Sequence, residues 1–466
     1  MSSQDSITSS ASDLSDIDVP ELPRVFLITG ATGFLGKLVV ENLLRRREEL
    51  NVSHVVILTR PKRGRSPEER FQHIVHKSPC FSKLPPGWEK FVTLMEGDVT
   101  QSLCGIQVRH FNRLCREVTH IIHCAASIRF DLPIIKAVFD NVGGALKILE
   151  FAGQCRNLER LVMTSTAYVT PHTIEPIHEV LAPLPMLVED LLVKIEGGGM
   201  SEKEILKLTG HENTYTLTKC IAEHMIMRLR GQVPLSIVRP SIISASRVHP
   251  FPGWIDSPAA FAGLVIALSS GRFRVLDGDP DAKLDIVPVD QVAQDLVVES
   301  FAEPFEFSTP RIKYSVSTLV NALDTAKTAV TIGNFFNSGL VKPVPRLRYS
   351  KHKSLKHMTL NLYYHKLQLL AGKMYFCAKG DEKMKKQITQ LMRLITIINR
   401  AFPYFSHNTF DFRHGGESQV KPYDTQEYVS IICEGVQSHI LKRGGGNEDN
   451  DKEVKKDLEM QVVGKA

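Results

Sequence analysis

The 466-residue sequence has few cysteines, no long apolar run and no leader-like segment at its start. Its 8 cysteines are scattered, and none belongs to a Cys-x-x-Cys pair. This distribution predicts reduced thiols in an intracellular protein and argues against a disulfide framework and a metal site. No stretch reaches the roughly 18 continuous apolar residues that a membrane-spanning helix needs. We therefore expect a cytoplasmic protein, or one peripherally associated with an intracellular membrane, without signal peptide or transmembrane helix.

Acidic residues are missing from one long stretch, although the net charge is only +6. None occurs between Asp324 and Asp381, whereas Lys and Arg are densest at residues 342–356. Leucine and tyrosine alternate with cations as far as residue 370, so residues 342–370 have two interpretations. They form either a solvated basic face over a packed helix or a surface that contacts phosphate groups or an anionic membrane. The stretch lacks a nucleic-acid recognition module, so no nucleic-acid partner is expected.

The length of the chain predicts two domains, because a single nucleotide-binding domain would leave much of it unused. We place the first domain at residues 23–305. A smaller, mainly helical domain that holds substrate or meets a membrane follows at residues 306–442. The polar composition of residues 1–22 and 443–466 predicts disordered tails.

Three glycines lie between an apolar run at residues 25–29 and a segment whose apolar residues recur at helical spacing. Gly30 permits a tight turn after the strand, and Gly33 lets backbone N–H groups approach a phosphate closely. Gly36 lets the following helix pack against the strand with its N-terminus facing the anion. Because strand, turn and helix occur in the required order, the sequence predicts a dinucleotide-binding site.

The end of the second strand indicates which dinucleotide is bound. Residues 55–59 form this strand, and Arg60 follows where an acidic residue would bind a ribose 2′-hydroxyl. Arg60, Lys62 and Arg63 are suited to a 2′-phosphate, which favours NADPH over NADH. The alternative is a solvated basic turn.

Four more apolar runs, separated by helical segments, are predicted as strands at residues 91–99, 120–126, 161–167 and 233–240. This alternation predicts an α/β fold built on a doubly wound parallel Rossmann sheet, with ligands beyond the carboxyl ends of the strands.

Several of these strands end in residues suited to a cofactor. Asp98 is either a partner of an adenine amino group or an ordinary residue at a strand end. Ala125 is small, as required where a flat cofactor lies against backbone. The residues predicted to bind the cofactor are Gly30, Thr32, Gly33, Phe34, Leu35, Gly36, Arg60, Asp98, Val99, Ala125, Lys219 and Pro240.

Tyr215 and Lys219 carry the catalytic prediction. Their four-residue spacing places them on one face of a helix, where the ammonium is expected to lower the phenol pKa from about 10. This spacing is also common in surface pairs. The catalytic interpretation is favoured because the preceding strand ends in two hydroxyl residues, Ser165 and Thr166, that can hydrogen-bond a substrate oxygen.

Taken together, these motifs resemble those of extended short-chain dehydrogenase/reductases and, within that group, the fatty acyl-CoA reductases. That family has a male-sterility-like NAD(P)-binding domain and a C-terminal domain. The similarity covers about residues 24–302, with a weaker match at residues 391–428. The matching segments are residues 29–36, 165–169, 213–219, 238–242, 250–256 and 285–290.

The resemblance implies that NADPH reduces a long-chain acyl-CoA through an aldehyde to a primary fatty alcohol. It implies Thr166 as the oxyanion donor, with Ser165 as the adjacent alternative, Tyr215 as the acid and Lys219 as its electrostatic partner. The route needs no covalent cysteine, and Cys124 is interpreted as a small buried residue.

Other functions stay open. The chain can be a reductase that stops at the aldehyde, one that acts on a carrier-bound thioester or a sterol-like ketone, or a non-catalytic nucleotide-binding scaffold. His249 differs from the acidic residue frequent in the family, which leaves chain-length preference open.

Overall fold

The computed structural model describes residues 23–61, 64–130, 132–302, 310–337, 347–350, 354–415 and 422–441. The predicted tails, residues 1–22 and 443–466, lie outside the described residues. Within the described part, the strands are β1 (Arg24–Thr29), β2 (Val52–Thr59), β3 (Val92–Glu96), β4 (His120–His123), β5 (Arg160–Thr164), β6 (Leu235–Pro240), β7 (Ile242–Ser244), β8 (Val275–Asp277), β9 (Lys283–Leu284), β10 (Ile286–Pro288), β11 (Arg311–Ser315), β12 (Leu323–Asp324) and β13 (Arg348–Ser350).

The same residues form α-helices and shorter helical turns. The α-helices are α1 (Phe34–Arg45), α2 (Pro67–Arg70), α3 (Val108–Glu117), α4 (Ile134–Ala137), α5 (Gly144–Gln154), α6 (Val188–Glu196), α7 (Glu202–Thr209), α8 (Thr214–Leu229), α9 (Ala260–Ser269), α10 (Val289–Ser300), α11 (Thr318–Asn321), α12 (Thr325–Asn337), α13 (Leu355–Asn361), α14 (Gln368–Ala378), α15 (Glu382–Ala401), α16 (Pro403–Ser406) and α17 (Thr425–Gly435). Turns of π-helix span Phe71–His76, Val138–Gly143, Leu362–Leu367 and Val436–Leu441, and 3-10 turns span Pro79–Phe81, Trp88–Phe91, Ser102–Gly105 and Ala167–Val169.

Seven parallel strands form the central sheet in the order β11-β6-β5-β4-β1-β2-β3. The order reverses between β1 and β4, so the chain leaves these two neighbouring strands in opposite directions. This confirms the doubly wound parallel sheet. It also places the ends of β1 and β4 beside the crevice where such folds bind ligands.

The observed strands differ from the predicted ones mainly at their carboxyl ends. β3 ends at Glu96, β4 at His123 and β5 at Thr164, each three residues before the predicted end. The small and polar residues that follow leave the ladder to form the loops at the sheet edge, so Asp98 and Ala125 lie in loops.

β11 was not predicted, because its sequence Arg-Ile-Lys-Tyr-Ser alternates polar and apolar residues at the sheet edge instead of forming an apolar run. It follows residue 305, the predicted end of the first domain, so the chain beyond that boundary still supplies a strand to the sheet. The division into residues 23–305 and 306–442 stays a prediction.

Two hydrophobic cores cover the two faces of the sheet. One forms where β4 and β5 meet α3, α5 and α8, and the other where β1 and β2 meet α1 and α10. A third core lies in a second lobe, where α9, α12, α15 and α17 pack together. The predicted mainly helical C-terminal region is confirmed, and residues 242–288 contribute to its core.

Aromatic contacts join this second lobe to the end of β5. The Tyr168 ring packs edge-on against Phe405, Phe410 and Phe412, with ring centroids 4.7, 5.0 and 5.7 Å away. The Tyr428 hydroxyl donates a 2.7 Å hydrogen bond to the Ala245 carbonyl. The C-terminal segment is therefore anchored next to the predicted catalytic strand end.

Glu179 ties three segments of the chain together. Its carboxylate accepts hydrogen bonds from the N–H groups of Tyr314 at 2.8 Å and Gly415 at 2.9 Å. It also lies 3.1 Å from Lys313 Nζ and 3.3 Å from His414 Nδ1. Burial opposes ionisation, but these partners outweigh it and lower the pKa of Glu179 to about 2.

Replacing Glu179 with glutamine should therefore destabilise the protein in a pH-dependent way. The ionised carboxylate stabilises the fold above its ordinary pKa of 4.5, and this contribution is lost as the pH falls towards 2. We expect Glu179→Gln to lower the free energy of unfolding by roughly 2–3 kcal/mol at neutral pH. The difference from wild type should shrink between about pH 5 and pH 3.

Chemical denaturation followed by tryptophan fluorescence measures this difference. Glu49→Gln, which removes an exposed ion pair with Arg46, is the control and should change stability little. A difference for Glu179→Gln that does not vary with pH would contradict the electrostatic explanation.

Candidate active site

The glycine turn after β1 brings three pieces of backbone into close contact. Gly30 has a φ of +76°, and a Cβ there would lie 2.7 Å from the Ala125 nitrogen. A Cβ on Gly36 would lie 2.2 Å from the Gly30 carbonyl oxygen. Only glycine fits at either position. Because the backbones touch, α1 begins directly at the carboxyl edge of the sheet.

The first turn of α1 is suited to an anion. Gly33 occupies the cap position, and among the described residues no side chain caps the helix or places an acid in its first turn. Backbone N–H groups at such a terminus attract the diphosphate of a dinucleotide. The turn therefore fits the predicted cofactor, with Thr32, Phe34 and Leu35 at its rim.

Arg70 holds this turn in place, a role that the sequence reading missed. Its guanidinium donates to Thr32 Oγ1 at 3.1 Å, to Thr59 Oγ1 at 3.0 Å and to the Arg60 carbonyl. A capping box between Ser66 and Glu69 starts the helix that positions Arg70. That Ser-Pro-Glu-Glu-Arg pattern was the available signal.

Arg60 and Asp98 lie together at the carboxyl ends of β2 and β3. The Arg60 side chain is half exposed and donates a 3.4 Å hydrogen bond to Asp98 Oδ2. Burial opposes ionisation of Asp98, but hydrogen bonds from Thr100 and the nearby Arg60 lower its pKa. Both oxygens of Asp98 thus have partners inside the protein. Lys62 and Arg63 lie outside the described residues.

The other predicted cofactor residues lie along the same edge. The Ala125 N–H donates to Thr29 Oγ1 at 3.2 Å beside Gly30. A Cβ on Gly144 would meet the Val99 side chain at 3.3 Å. Pro240 ends β6, where its carbonyl faces the Thr166 hydroxyl.

Tyr215 and Lys219 lie on α8, whose start is capped by Asn213 through a 2.9 Å bond from the Thr216 N–H. The Lys219 ammonium donates to the Thr164 carbonyl at 2.8 Å, at the end of β5. Burial lowers the pKa of Lys219 to about 8. The helix thus directs a lysine, still protonated at neutral pH, to the predicted hydroxyl pair.

The expected lowering of the phenol pKa does not occur in this structure. Burial raises the pKa of Tyr215 to about 12, because the charged phenolate is poorly solvated there. Tyr215 therefore keeps its proton at neutral pH and is suited to donate a hydrogen bond. Its ring also contacts Phe130, with centroids 5.7 Å apart.

The two hydroxyls after β5 differ in their partners. Thr166 Oγ1 accepts from the Tyr168 N–H at 3.4 Å and lies 3.5 Å from the Pro240 carbonyl. Ser165 Oγ is buried and has no hydrogen-bond partner among the described residues. A buried hydroxyl rarely stays unpaired in a folded protein. Of the two hydroxyls, Ser165 is therefore the one whose hydrogen-bonding capacity is left unused by the described residues.

Asn141, which the sequence analysis did not single out, connects the loop after β4 to α8. It lies in the π-helical turn Val138–Gly143, where such turns often mark functional sites. Its amide donates to the Ser127 carbonyl and to Thr218 Oγ1, both at 3.1 Å, and accepts from the Ser127 N–H at 2.8 Å.

A buried ion pair fixes the same helix from its other side. Glu223, one turn after Lys219, accepts from Arg239 Nε at 2.9 Å and Nη2 at 2.5 Å. Both side chains are almost fully buried, and the pairing raises the pKa of Arg239. Since an unpaired buried charge is costly, the pair sets where α8 lies relative to β6.

Cys124 lies near this site but is not an activated nucleophile. Burial raises the pKa of its thiol to about 11, so it is protonated at neutral pH. The described residues contain no group of three or more His, Cys, Asp or Glu that could hold a metal ion.

The family profile described as "Male sterility protein", an NAD-binding family, matches residues 28–296. Fatty acyl-CoA reductase 2 of Mus musculus is 29% identical over 444 residues, covering 90% of this chain and 85% of that protein. Fatty acyl-CoA reductase wat of Drosophila melanogaster is 29% identical over 405 residues, covering 83% and 75%. These matches confirm the resemblance predicted from the motifs.

Solved structures share the fold at lower identity. The terminal R domain of the myxalamid PKS-NRPS pathway superposes with a TM-score of 0.63 and 20% identity, covering 91% of this chain and 92% of that one. The reductase domain of a nonribosomal peptide synthetase from Mycobacterium tuberculosis gives a TM-score of 0.57 and 15% identity, covering 89% and 91%.

Gly36→Ala should abolish tight binding of the nicotinamide dinucleotide, because the added methyl group would displace the start of α1 from the Gly30 carbonyl. We expect the dissociation constant to rise at least about a hundredfold, measured by cofactor fluorescence. Gly333→Ala, in α12, is the matched control, since nothing described beyond its own helix and chain neighbours lies within 4 Å of a Cβ there. Equal binding by both variants would contradict the assignment of the turn.

Proposed function

Because the chain belongs to the male sterility protein family, we propose that it is an alcohol-forming reductase that converts a long-chain fatty acyl-CoA to a primary fatty alcohol with NADPH. One observation carries the proposal. The dinucleotide turn and the pair Tyr215–Lys219 meet the hydroxyl-bearing end of β5 at the same edge of the sheet. The names of the curated relatives support the acyl-CoA substrate.

Bound NADPH supplies hydride to the thioester carbonyl. As negative charge develops on the carbonyl oxygen, the Tyr215 hydroxyl and a hydroxyl after β5 donate hydrogen bonds to it. The Lys219 ammonium adds positive charge nearby. When this oxyanion collapses, the carbon–sulfur bond breaks, CoA leaves as a thiolate that takes a proton from solvent, and an aldehyde remains.

The aldehyde is reduced at the same residues. A second hydride gives an alkoxide, which takes a proton from Tyr215. A phenol whose pKa is about 12 is well matched to this step, because an alkoxide is a still stronger base. The complete reaction consumes two NADPH and two protons for each acyl group.

We propose that Ser165 is the hydroxyl that acts beside Tyr215, because its Oγ has no hydrogen-bond partner among the described residues. The resemblance to the family implies Thr166 instead.

For the cofactor, we propose that Arg60 binds the 2′-phosphate of NADPH, because β2 ends without an acidic residue and the Arg60 side chain is half exposed. Among the alternatives, a reductase that stops at the aldehyde would consume only one NADPH.

Tyr215→Phe removes the proton donor and should lower alcohol formation at least about a thousandfold, while NADPH binding stays near wild type. The assay mixes purified protein with palmitoyl-CoA and NADPH, and follows NADPH oxidation together with extracted aldehyde and alcohol. Wild type should yield alcohol at two NADPH per acyl group.

Ser165→Ala and Thr166→Ala, assayed in parallel, show which hydroxyl binds the oxyanion. We expect the larger loss of turnover for Ser165→Ala. Wild-type protein that binds NADPH but oxidises none with acyl-CoA would overturn the proposed substrate and favour a carrier-bound thioester or a ketone.

We also propose that residues 342–370 provide a peripheral membrane contact. Of this stretch, residues 342–346 and 351–353 lie outside the described residues. The described remainder belongs mainly to the helical run formed by α13, the π-helical turn after it and α14, and the proposed surface continues along α14 beyond residue 370. Within the described residues, no helix is both long and apolar enough to cross a bilayer.

This helical run carries its apolar residues on the outside. His357, His365 and Leu369 face the second lobe and are buried. The exposed side includes Leu355, which is 77% exposed, and Met374, which is 66% exposed. The other exposed apolar residues are Met358, Leu362, Tyr363, Leu367, Leu370 and Tyr375.

The π-helical turn Leu362–Leu367 keeps these residues on one stripe. Apart from Tyr363 and Tyr375, which directly follow Leu362 and Met374, the exposed apolar residues recur every three or four positions, except for a step of five from Leu362 to Leu367. A regular α-helix would rotate a five-residue step away from the stripe, but one turn of π-helix realigns it. His365 fixes this orientation by accepting N–H groups from Arg274 at 3.0 Å and Val275 at 3.3 Å.

Positive charges flank the stripe. Lys356, Lys366 and Lys379 are exposed along the same run. No acidic residue occurs between Asp324 and Asp381 to neutralise them. An apolar stripe with a cationic border matches a membrane surface that carries anionic lipids, where acyl-CoA substrates also partition.

Leu367→Ser/Leu370→Ser/Met374→Ser should reduce binding to liposomes of phosphatidylcholine and phosphatidylserine at least about tenfold, because the variant removes apolar area that enters the lipid. Cosedimentation measures the bound fraction. Val193→Ser, at an equally exposed position on α6, is the control.

Charge reversal at Lys356 and Lys366 should weaken binding only when the liposomes contain phosphatidylserine. Unchanged liposome binding by the triple variant would contradict the proposal. If the wild type instead forms a dimer that the triple variant loses, the stripe is a contact between copies.

A further inference from the structure

The loop at residues 250–256 lies against the first turn of α1, the helix that starts at the dinucleotide turn. The Phe34 ring stacks on Trp254 with centroids 5.1 Å apart. One turn along, the Lys37 ammonium donates to Asp256 Oδ2. Their side chains are only 8% and 13% exposed, so this ion pair is largely shielded from water.

The loop is itself held firmly. The Asp290 carboxylate accepts the N–H groups of Arg247 at 2.9 Å, Val248 at 2.8 Å and His249 at 3.0 Å. Ser246, which precedes the loop, holds it from within: its Oγ donates to the Phe251 carbonyl at 2.6 Å and accepts from the Trp254 N–H at 3.1 Å. Because its backbone is fixed at several points, the loop can act as a rigid support.

The C-terminal helix α17 supports the loop from behind. Gly253 has a φ of +79°, and a Cβ on Gly435 would lie 2.0 Å from the Gly253 carbonyl oxygen. The backbones of α17 and the loop are therefore in direct contact. An unbroken series of contacts runs from α17 through Trp254 and Asp256 to the first turn of α1.

We propose that Trp254 and Asp256 are positioning residues for the nicotinamide dinucleotide. They fix Phe34 and Lys37 and so hold the N–H groups at the start of α1 in register with the diphosphate. Neither residue needs to touch the cofactor, and the inference rests on the proposed use of NADPH.

The negative charge of Asp256 makes the proposal testable, because positioning and simple electrostatics predict opposite changes in NADPH affinity when that charge is removed. Asp256 places a carboxylate near the site of an anionic ligand, so removing its charge would tighten NADPH binding if electrostatics alone mattered. Positioning predicts the opposite, because Asp256→Asn frees Lys37 and loosens the first turn of α1.

The test measures NADPH dissociation constants for the full chain by cofactor fluorescence, without acyl substrate. We expect Asp256→Asn and Trp254→Leu to weaken binding about tenfold, and Lys37→Arg, which keeps the pair, to stay within about twofold of wild type. In steady-state assays, the KM for NADPH should rise while the KM for acyl-CoA is unchanged.

Glu299→Gln is the matched control, because it breaks another largely buried ion pair, with Arg311 at the start of β11 and not at the dinucleotide turn. It should lower stability without changing NADPH affinity. If Asp256→Asn does not fold, Trp254→Leu answers the same question, since it removes the ring contact with Phe34 from the side of the loop and should also weaken binding.

Asp256→Asn that binds NADPH as tightly as wild type, or more tightly, would overturn the proposal. Wild-type protein that binds NADPH but does not reduce acyl-CoA would refute the proposed function and leave this inference standing. Wild-type protein that binds no NADPH would overturn both.

Discussion

The contact among the backbones of Gly30, Gly36 and Ala125 is the constraint on which the rest of the site depends. Side chains cannot fit between these segments, so the end of β1, the start of α1 and the loop after β4 must meet at one point. That meeting point coincides with the reversal of strand order in the sheet. The open helix terminus and the catalytic edge are consequently neighbours, and a cofactor bound at one reaches the other.

Burial of ionisable groups determines the protonation states of Tyr215 and Lys219 on α8. α8 is fixed by the Arg239–Glu223 pair on one side and by the bond from Lys219 to the Thr164 carbonyl on the other. In this desolvated setting, Tyr215 stays neutral instead of being activated by its lysine. In the proposed mechanism, the neutral Tyr215 hydroxyl donates a hydrogen bond to the developing oxyanion, and the Lys219 ammonium adds positive charge nearby.

Much of this arrangement follows from local sequence patterns. The apolar runs, the glycine spacing and the Tyr215–Lys219 spacing predict the sheet, the turn and the helix, because each depends on neighbouring residues. Contacts between distant segments were beyond such reasoning. Arg70 contacts Thr32 only because folding brings these two segments together. That Ser165 Oγ lacks a hydrogen-bond partner is likewise known only from the folded structure. β11 was missed because its polar alternation is typical of a sheet edge.

The backbone contact between Gly253 and Gly435 also has a consequence for the order in which the protein is made. α1 leaves the ribosome early, the loop that supports it follows after about half of the chain, and α17 emerges later still. The nucleotide-binding sheet can form during synthesis, since all seven of its strands precede α17 in the chain. Its cofactor turn receives its full support only once α17 has docked, so a growing chain would carry a Rossmann sheet before it carries a finished cofactor site.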